Sequence, residues 1–135
     1  MSSLHLRMIV PGQAPIERDA DEVTLAGQDG LFTVLPNHCA LLSRLKPGIA
    51  RIASGGTEER FALGSAVCEV LNDRVTVLAE RLVEWGDMRH AKAGDLIAAA
   101  QAELDKVSGP SDAGWQAAHD NLAWAQAVHE ATESH

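Results

Sequence analysis

Long apolar runs are missing from this chain of 135 residues. None approaches the roughly 20 apolar residues that a membrane-spanning helix requires, so any contact with a membrane is expected to be peripheral or through another protein. Basic residues are scarce as well: eleven Lys and Arg stand against nineteen Asp and Glu, and no Lys/Arg run offsets the formal charge of -8. Phosphate-rich partners would be repelled, which excludes a nucleic-acid binder. Cysteine is limited to Cys39 and Cys68, too few for a disulfide framework, and both are expected to be reduced, buried small hydrophobes. The opening "MSSLHLRMIVPGQ" has neither a charged leader nor a long apolar centre. No secretory signal is therefore expected, and the chain should stay in the cytosol.

Motifs for chemistry are equally short of their requirements. The terminal "HEATESH" evokes a zinc-protease signature, but His129 and His135 are six apart rather than four and project from different sides of a helix. His119 and His129 are too distant to share a metal without outside ligands. The glycines of "GGTEERFALGSA" fit neither phosphate-binding pattern and read as turn residues. Asp19, Asp21 and Glu22 lack the spaced ligands of a calcium loop and read as a solvated loop.

Strand grammar fills the first part of the chain. Leu4, Leu6, Met8 and Val10 share one face of an extended segment, and in "RVTVLAE" Val75, Val77 and Ala79 alternate with Thr76 and Leu78. Turn chemistry punctuates the runs at Pro11-Gly12, Gln28-Asp29-Gly30, Pro36-Asn37, Lys46-Pro47-Gly48, Ser54-Gly55-Gly56 and Asn72-Asp73. Many short strands without an intervening helical pattern predict an antiparallel sandwich or barrel.

After Trp85-Gly86 the vocabulary turns to alanine, with thirteen in the remaining 49 residues. Helix is the expected state. Asp87 is placed to cap a first helix whose Ala93, Ile97, Ala100, Leu104 and Val107 form one apolar stripe, stopped by Ser108-Gly109-Pro110. Ser111 or Asp112 would cap a second helix, with Ala118, Leu122, Ala125 and Val128 on a narrow face flanked by Trp115 and Trp124. So short a break predicts an antiparallel hairpin. Its alanine-rich seam buries little apolar area, so the hairpin should be held weakly and detach more easily than the strands melt. The division expected is residues 1–85 for the sandwich and 87–135 for the hairpin.

Between these regions of plain fold grammar lies "GLFTVLPNHCALLSRLKPG", residues 30–48, where a histidine and a thiol are adjacent. Neighbours in an extended chain point to opposite faces, so His38 and Cys39 should not hydrogen-bond each other. The expectation is a Cys39 turned inward and a His38 on the rim, available to a partner. A competing reading is an autonomous sandwich module that holds a small ligand or metal through His38 and Cys39, with Cys68 as a further candidate. An enzyme using His38 as a base has no accompanying acid, nucleophile or substrate anchor.

The stretch "DGLFTVLPNHCALLSRLKPGIARI", from Asp29 to Ile52, resembles the epsilon subunit of F-type ATP synthases, whose usual form is Gly-x-Leu-Gly-Ile-x-Pro-Gly-His-Ala-Pro-Leu-Leu before a Lys/Arg-Pro-Gly turn. The opening "LHLRMIVPGQ", the segment "ALGSAVCEVLNDRVTVLAE" and the alanine-rich tail extend the resemblance over essentially the whole chain. It implies an N-terminal antiparallel β-sandwich of about ten strands followed by a two-helix hairpin. It also implies a non-catalytic rotor subunit of the central stalk, peripheral to the cytoplasmic face of the inner membrane. Such a subunit binds the gamma subunit and the c-ring, coupling proton flow to ATP synthesis, and the hairpin of some members swings toward the beta subunit to restrain ATP hydrolysis. On this resemblance the partner interface is expected at Leu31, Phe32, Asn37, His38, Leu41 and Leu42, with no cofactor.

Departures from the family pattern concern the loop and the hairpin. Thr33 and Asn37 stand at usual glycine positions, and Cys39-Ala40 replaces Ala-Pro. Where some members bind ATP through Ile/Leu-Asp-x-x-Arg-Ala, this chain has "MRHAKA", residues 88–93, with Arg89 for the aspartate and Lys92 for the arginine. No basic residue follows Lys106, so phosphate would meet only acidic groups. ATP binding is not expected, and hairpin inhibition should be weak.

Overall fold

A computed structural model describes residues 3–84, 90–107 and 114–133. The expected caps at Asp87, Ser111 and Asp112, the stop at Ser108-Gly109-Pro110, and Met88 and Arg89 lie outside the described residues. Ten strands come first: β1 (Leu4–Ile9), β2 (Ile16–Ala20), β3 (Glu22–Gly27), β4 (Gly30–Val34), β5 (Leu41–Leu45), β6 (Gly48–Ser54), β7 (Thr57–Leu63), β8 (Ala66–Leu71), β9 (Arg74–Ala79) and β10 (Leu82–Glu84). Two helices follow, α1 (His90–Asp105) and α2 (Trp115–Glu133). The architecture is the sandwich-plus-hairpin that the two vocabularies predict.

Period-two patterning decides which side chains enter the core. Leu4, Leu6, Met8 and Val10 are all buried, as are Val75, Val77 and Ala79, while Leu78 between them is exposed. All six expected punctuation points are turns or bends. At Asn72 and Asp73 both central residues have positive φ, 50° and 62°, the mirror-image turn whose twist suits a tight hairpin. Gly48 is required for another reason. A Cβ there would sit 2.6 Å from the Cβ of Ala26, where β6 passes close to β3.

The strands form one sheet ordered β10-β7-β6-β3-β5-β8-β9-β1-β2, with β4 pairing β3 on its other side. β3 and β5 meet only at Gly27 and Leu45. At that narrow join the sheet folds over, giving one layer of β10, β7, β6, β3 and β4 and a second of β5, β8, β9, β1 and β2. Inward side chains of both layers make a single core, with Phe61, Leu25 and Val34 meeting Leu6, Val70 and Val77. One pairing departs from the antiparallel expectation: β1 runs parallel to β9. These strands are distant in sequence, so no hairpin turn dictates their relative direction.

The helices lie antiparallel, with α2 over β6 and β7. Along α1, Ala100 is buried and Ile97 and Leu104 are half-buried, as the 3.6-residue stripe requires, whereas Val107, also half-buried, lies in a bend past the end of the helix and the Ala93 side chain lies outside the described residues. In α2, Ala118, Ala125 and Val128 are buried, and Trp124 is the centre of a contact rather than its flank. Trp124, Ala127 and Val128 pack on Ile49 and Ala62, with Val83 and Leu96 at the margin. This second cluster is small and separate from the main core. Arg81 ties the two parts together, donating from Nη1 to Asn121 Oδ1 at 3.1 Å and stacking 5.3 Å from the Trp124 ring centroid.

Candidate docking face

Strand β4 runs into a tight corner. In Leu35-Pro36-Asn37-His38 the His38 N–H donates to the Leu35 carbonyl at 3.1 Å, and Asn37 has φ 67°. Proline then presets the second position, and asparagine tolerates the left-handed angle that the third demands. This is how Asn37 serves where the resembling family has glycine. The Asn37 N–H donates to Asp73 Oδ1 at 2.6 Å, fastening the corner to the turn between β8 and β9.

His38 is half-buried on the rim and its Nδ1 lies 2.7 Å from the Cys39 carbonyl. A carbonyl only accepts, so Nδ1 carries a hydrogen in this contact. Cys39 follows directly on the turn, outside any strand, and its exposure overturns its inward placement. Its thiol is exposed, because the turn ahead of it removes the strict alternation on which that expectation rested. Cys68 is buried as expected, and burial, helped by the nearby Glu69 charge, pushes its thiol up to about 11. Among the described residues no three His, Cys, Asp or Glu side chains are grouped to hold a metal ion.

The six sequence-derived interface residues do not fall on one surface. Leu31 is 74% exposed on the outer face of the first layer, whereas Leu42 is 72% exposed on the outer face of the second. Asn37 and His38 occupy the corner between them. Phe32 and Leu41 alternate with these residues and are half-buried against the core. An open cleft of about 510 Å³ lies at the corner, bounded by His38, Cys39, Leu71 and Asp73. A shallower one continues along Leu42, Glu69 and Leu71.

Register reveals apolar positions that sequence reading left out. On the outer face of the second layer Val67 pairs with Leu78, and Leu42 pairs with Glu69 one step from Leu71. Leu71, Val67 and Leu78 are exposed alongside Leu42. The signal was present as apolar residues out of phase with the core in β8 and β9, but only strand pairing shows them to be neighbours. In contrast, the corresponding outer face of β6 and β7 is covered by α2.

At the far edge of the second layer His5 bridges two carboxylates of β2. Its Nδ1 is 3.1 Å from Asp19 Oδ1 and its Nε2 is 3.2 Å from Glu17 Oε1. The hydrogen bond to Asp19, then that to Glu17, raises the imidazole above its ordinary value.

Comparison with known proteins agrees with this architecture. The family model described as "ATP synthase, Delta/Epsilon chain, beta-sandwich domain" matches residues 3–85. An ATP synthase epsilon chain of Synechococcus sp. is 32% identical over 98% of both chains. One from Bordetella petrii is also 32% identical, over 95% of this chain and 92% of that one. A chain in a Euglena gracilis mitochondrial ATP synthase structure, comprising OSCP, F1 and c-ring, superposes with a TM-score of 0.79 at 17% identity, covering 97% of this chain and 82% of that one. A chain in the central stalk and c-ring structure of the Tetrahymena thermophila mitochondrial ATP synthase gives 0.64 at 14% identity, covering 96% of each. The family match over the strands and the end-to-end relatives together place this chain in the epsilon-chain family of ATP synthases, as a non-catalytic subunit of the central stalk whose work belongs to ATP synthesis and ion transport.

Proposed function

We propose that the chain is a passive rotor coupling piece, gripping the gamma subunit and the c-ring so that proton flow through the ring is transmitted to the catalytic head. The observation that carries this reading is the exposed apolar row of Leu42, Leu71, Val67 and Leu78 on one outer face, beside a corner stiffened by Pro36 and the Asn37–Asp73 hydrogen bond. An interface of this kind needs apolar contact ringed by polar groups, and no transition state has to be stabilised. The strands, residues 1–85, supply the grip, and residues 87–135 form the regulatory-type hairpin. In this reading the subunit sits peripherally at the cytoplasmic face of the inner membrane. Among the described residues no helix is long and apolar enough to cross it.

The compact hairpin is favoured. No basic residue follows Lys106, so the second helix carries no Lys or Arg with which to grip an acidic region of the beta subunit, and the hairpin restrains ATP hydrolysis weakly. Deleting residues 87–135 should leave hydrolysis by the assembled enzyme within about twofold of the parent, and a several-fold rise would refute weak restraint.

Binding to purified gamma subunit tests the main reading. Leu42 is exposed, so Leu42→Asp should fold and melt as the parent does while losing gamma binding by about tenfold or more, the loss expected for placing a charge in an apolar contact. His38→Ala in the same assay reports the contribution of the corner. Parent and Leu42→Asp proteins that bind gamma equally well would remove this face from the interface.

A further inference from the structure

Every open sheet ends in strands whose outer backbone groups are unpaired, and natural proteins blunt such edges with charge, brevity or cover. Among the described residues β2, β10 and β4 form such edges, and β5, five residues long and carrying Arg44, is a fourth beyond its single join to β3. β2 is interrupted by Glu17, Arg18 and Asp19, and β10 has only three residues. β4 is different. From Gly30 through Leu35 it reads Gly-Leu-Phe-Thr-Val-Leu, without a charge or a proline, and it pairs with β3 alone.

The register states which groups are free. Gly27 opposes Gly30 across the two-residue turn, Ala26 opposes Leu31 and Thr24 opposes Thr33. The Ala26 carbonyl accepts from the Lys46 N–H at 3.0 Å, so the polar groups of Ala26 face β5 rather than β4. In an antiparallel pair these roles alternate. Gly27, Leu25 and Val23 therefore bond to Gly30, Phe32 and Val34, and the N–H and C=O groups of Leu31 and Thr33 point away from the sheet. The side chains agree with this alternation, since Phe32 packs on the core and Val34 is buried, while Leu31, Thr33 and Leu35 are exposed in a row. Thr33 is steadied by a 2.9 Å hydroxyl contact with Thr24.

We infer that the outer edge of β4 is a strand-addition site, which takes up an extended segment of a partner chain in the rotor by backbone hydrogen bonding to Leu31 and Thr33. This rests on the rotor reading above and specifies the chemistry of one contact within it. Two donors and two acceptors at alternate residues suit an extended backbone, and Leu31 and Leu35 suit apolar side chains on the same face of the added strand. Charge selects the occupant. The edge is bracketed by Asp29 in the turn and by Glu22 on β3, one step beyond the Val23–Val34 pair, both exposed and outside any ion pair among the described residues. A second copy of a chain with a net charge of -8 would bring like charge to this edge, so the added segment belongs to a different chain and carries basic residues at its ends.

Amide hydrogen exchange on the full chain, alone and bound to a gamma–c-ring subcomplex, tests the inference. Alone, Leu31 and Thr33 should exchange rapidly while Phe32 and Val34 are protected. On binding, Leu31 and Thr33 should slow by about a hundredfold. Thr33→Pro removes an outward N–H without touching the inward ladder, a place where an edge strand tolerates proline. It should weaken binding by about tenfold or more, whereas Thr33→Ala, which keeps the N–H, should bind as the parent does. Should Thr33→Pro melt early, the exchange measurement on the parent protein still decides. Retained binding with Leu31 and Thr33 still exchanging rapidly would overturn strand addition alone. Protection that appears with rising concentration of the chain by itself would overturn it in favour of self-pairing. Failure of the parent chain to bind the subcomplex would overturn the rotor reading and this inference with it.

Discussion

Replacing Trp124 by alanine should free the helical hairpin from the strands while the sandwich stays folded. Trp124 is 7% exposed and packs on Ile49 and Ala62, with Arg81 stacked on its ring. Burial of an aromatic side chain removes about 150–250 Å² from water, which at about 25 cal/mol per Å² corresponds to about 4–6 kcal/mol. Part of that burial is against α2 itself and Leu96 of α1, and it survives detachment. Assigning about half to the strands leaves about 2–3 kcal/mol, and loss of the stacked guanidinium adds about 0.5–1 kcal/mol. A total of about 3 kcal/mol shifts the docking equilibrium by a factor of about 100 or more. Exchange of α2 amides should accelerate by that factor, while amides of β8 and β9 keep their protection. If the α2 amides of Trp124→Ala exchange within about threefold of the parent, the small cluster is not what holds the hairpin. Simultaneous loss of protection in β8 and β9 would show that the two parts unfold as one.

The two thiols should separate cleanly in a reactivity assay. At neutral pH one equivalent, Cys39, should react quickly with an aromatic disulfide reagent, and Cys68 should react only on unfolding, because it is buried and its thiol is pushed up to about 11. Two equivalents titrating at one rate in the native protein would contradict this. The His5 clamp should make stability depend on pH. Its imidazole is raised by Asp19 and Glu17, so the folded state binds the proton more tightly than the unfolded chain. The stabilisation is fully present below the ordinary imidazole value of 6.5 and is lost as pH rises through the higher folded value. The parent should therefore melt above His5→Gln near about pH 6 and converge with it near about pH 9. A difference that widens with pH would reverse the sign and refute the clamp.

Alternation made half of this molecule legible. Leu4, Leu6 and Met8 in β1, and Val75 and Val77 in β9, enter the core where period two puts them. The turns were legible because Asn72, Asp73, Gly55 and Gly56 have the positive φ angles for which their residue types are suited. What periodicity lacks is information on which strands become neighbours. The parallel union of β1 with β9 follows from chain-distant packing. The single Gly27–Leu45 join that folds the sheet over is equally invisible along the chain. For that reason Leu31 and Leu42, only eleven positions apart, arrive on opposite outer faces. Trp124 was placed beside an alanine stripe because a helical wheel shows one apolar face well, whereas α2 needs two, one for α1 and one for the strands. Cys39 went astray at a turn, where alternation ceases to hold.

The two uncovered regions of the sandwich ask for unlike surfaces. On the outer face of the second layer the apolar row lies among charges of both signs, Arg44, Arg74 and Arg7 together with Glu69 and Glu17, aligned through the β5–β8, β8–β9, β1–β9 and β1–β2 registers. That face suits a partner with an apolar centre and a rim of mixed charge. The β4 edge, on the other layer, is bracketed by Asp29 and Glu22 and suits a basic extended segment. A uniformly basic partner surface would suit only the β4 edge, since on the other face it would be set against the three arginines. In the proposed rotor reading, a subunit held from two sides would resolve the conflict and transmit torque as a rigid body. The hairpin fits the same scheme. It covers Ile49 and Ala62 on β6 and β7, outside both regions, so it is free to loosen without disturbing either grip.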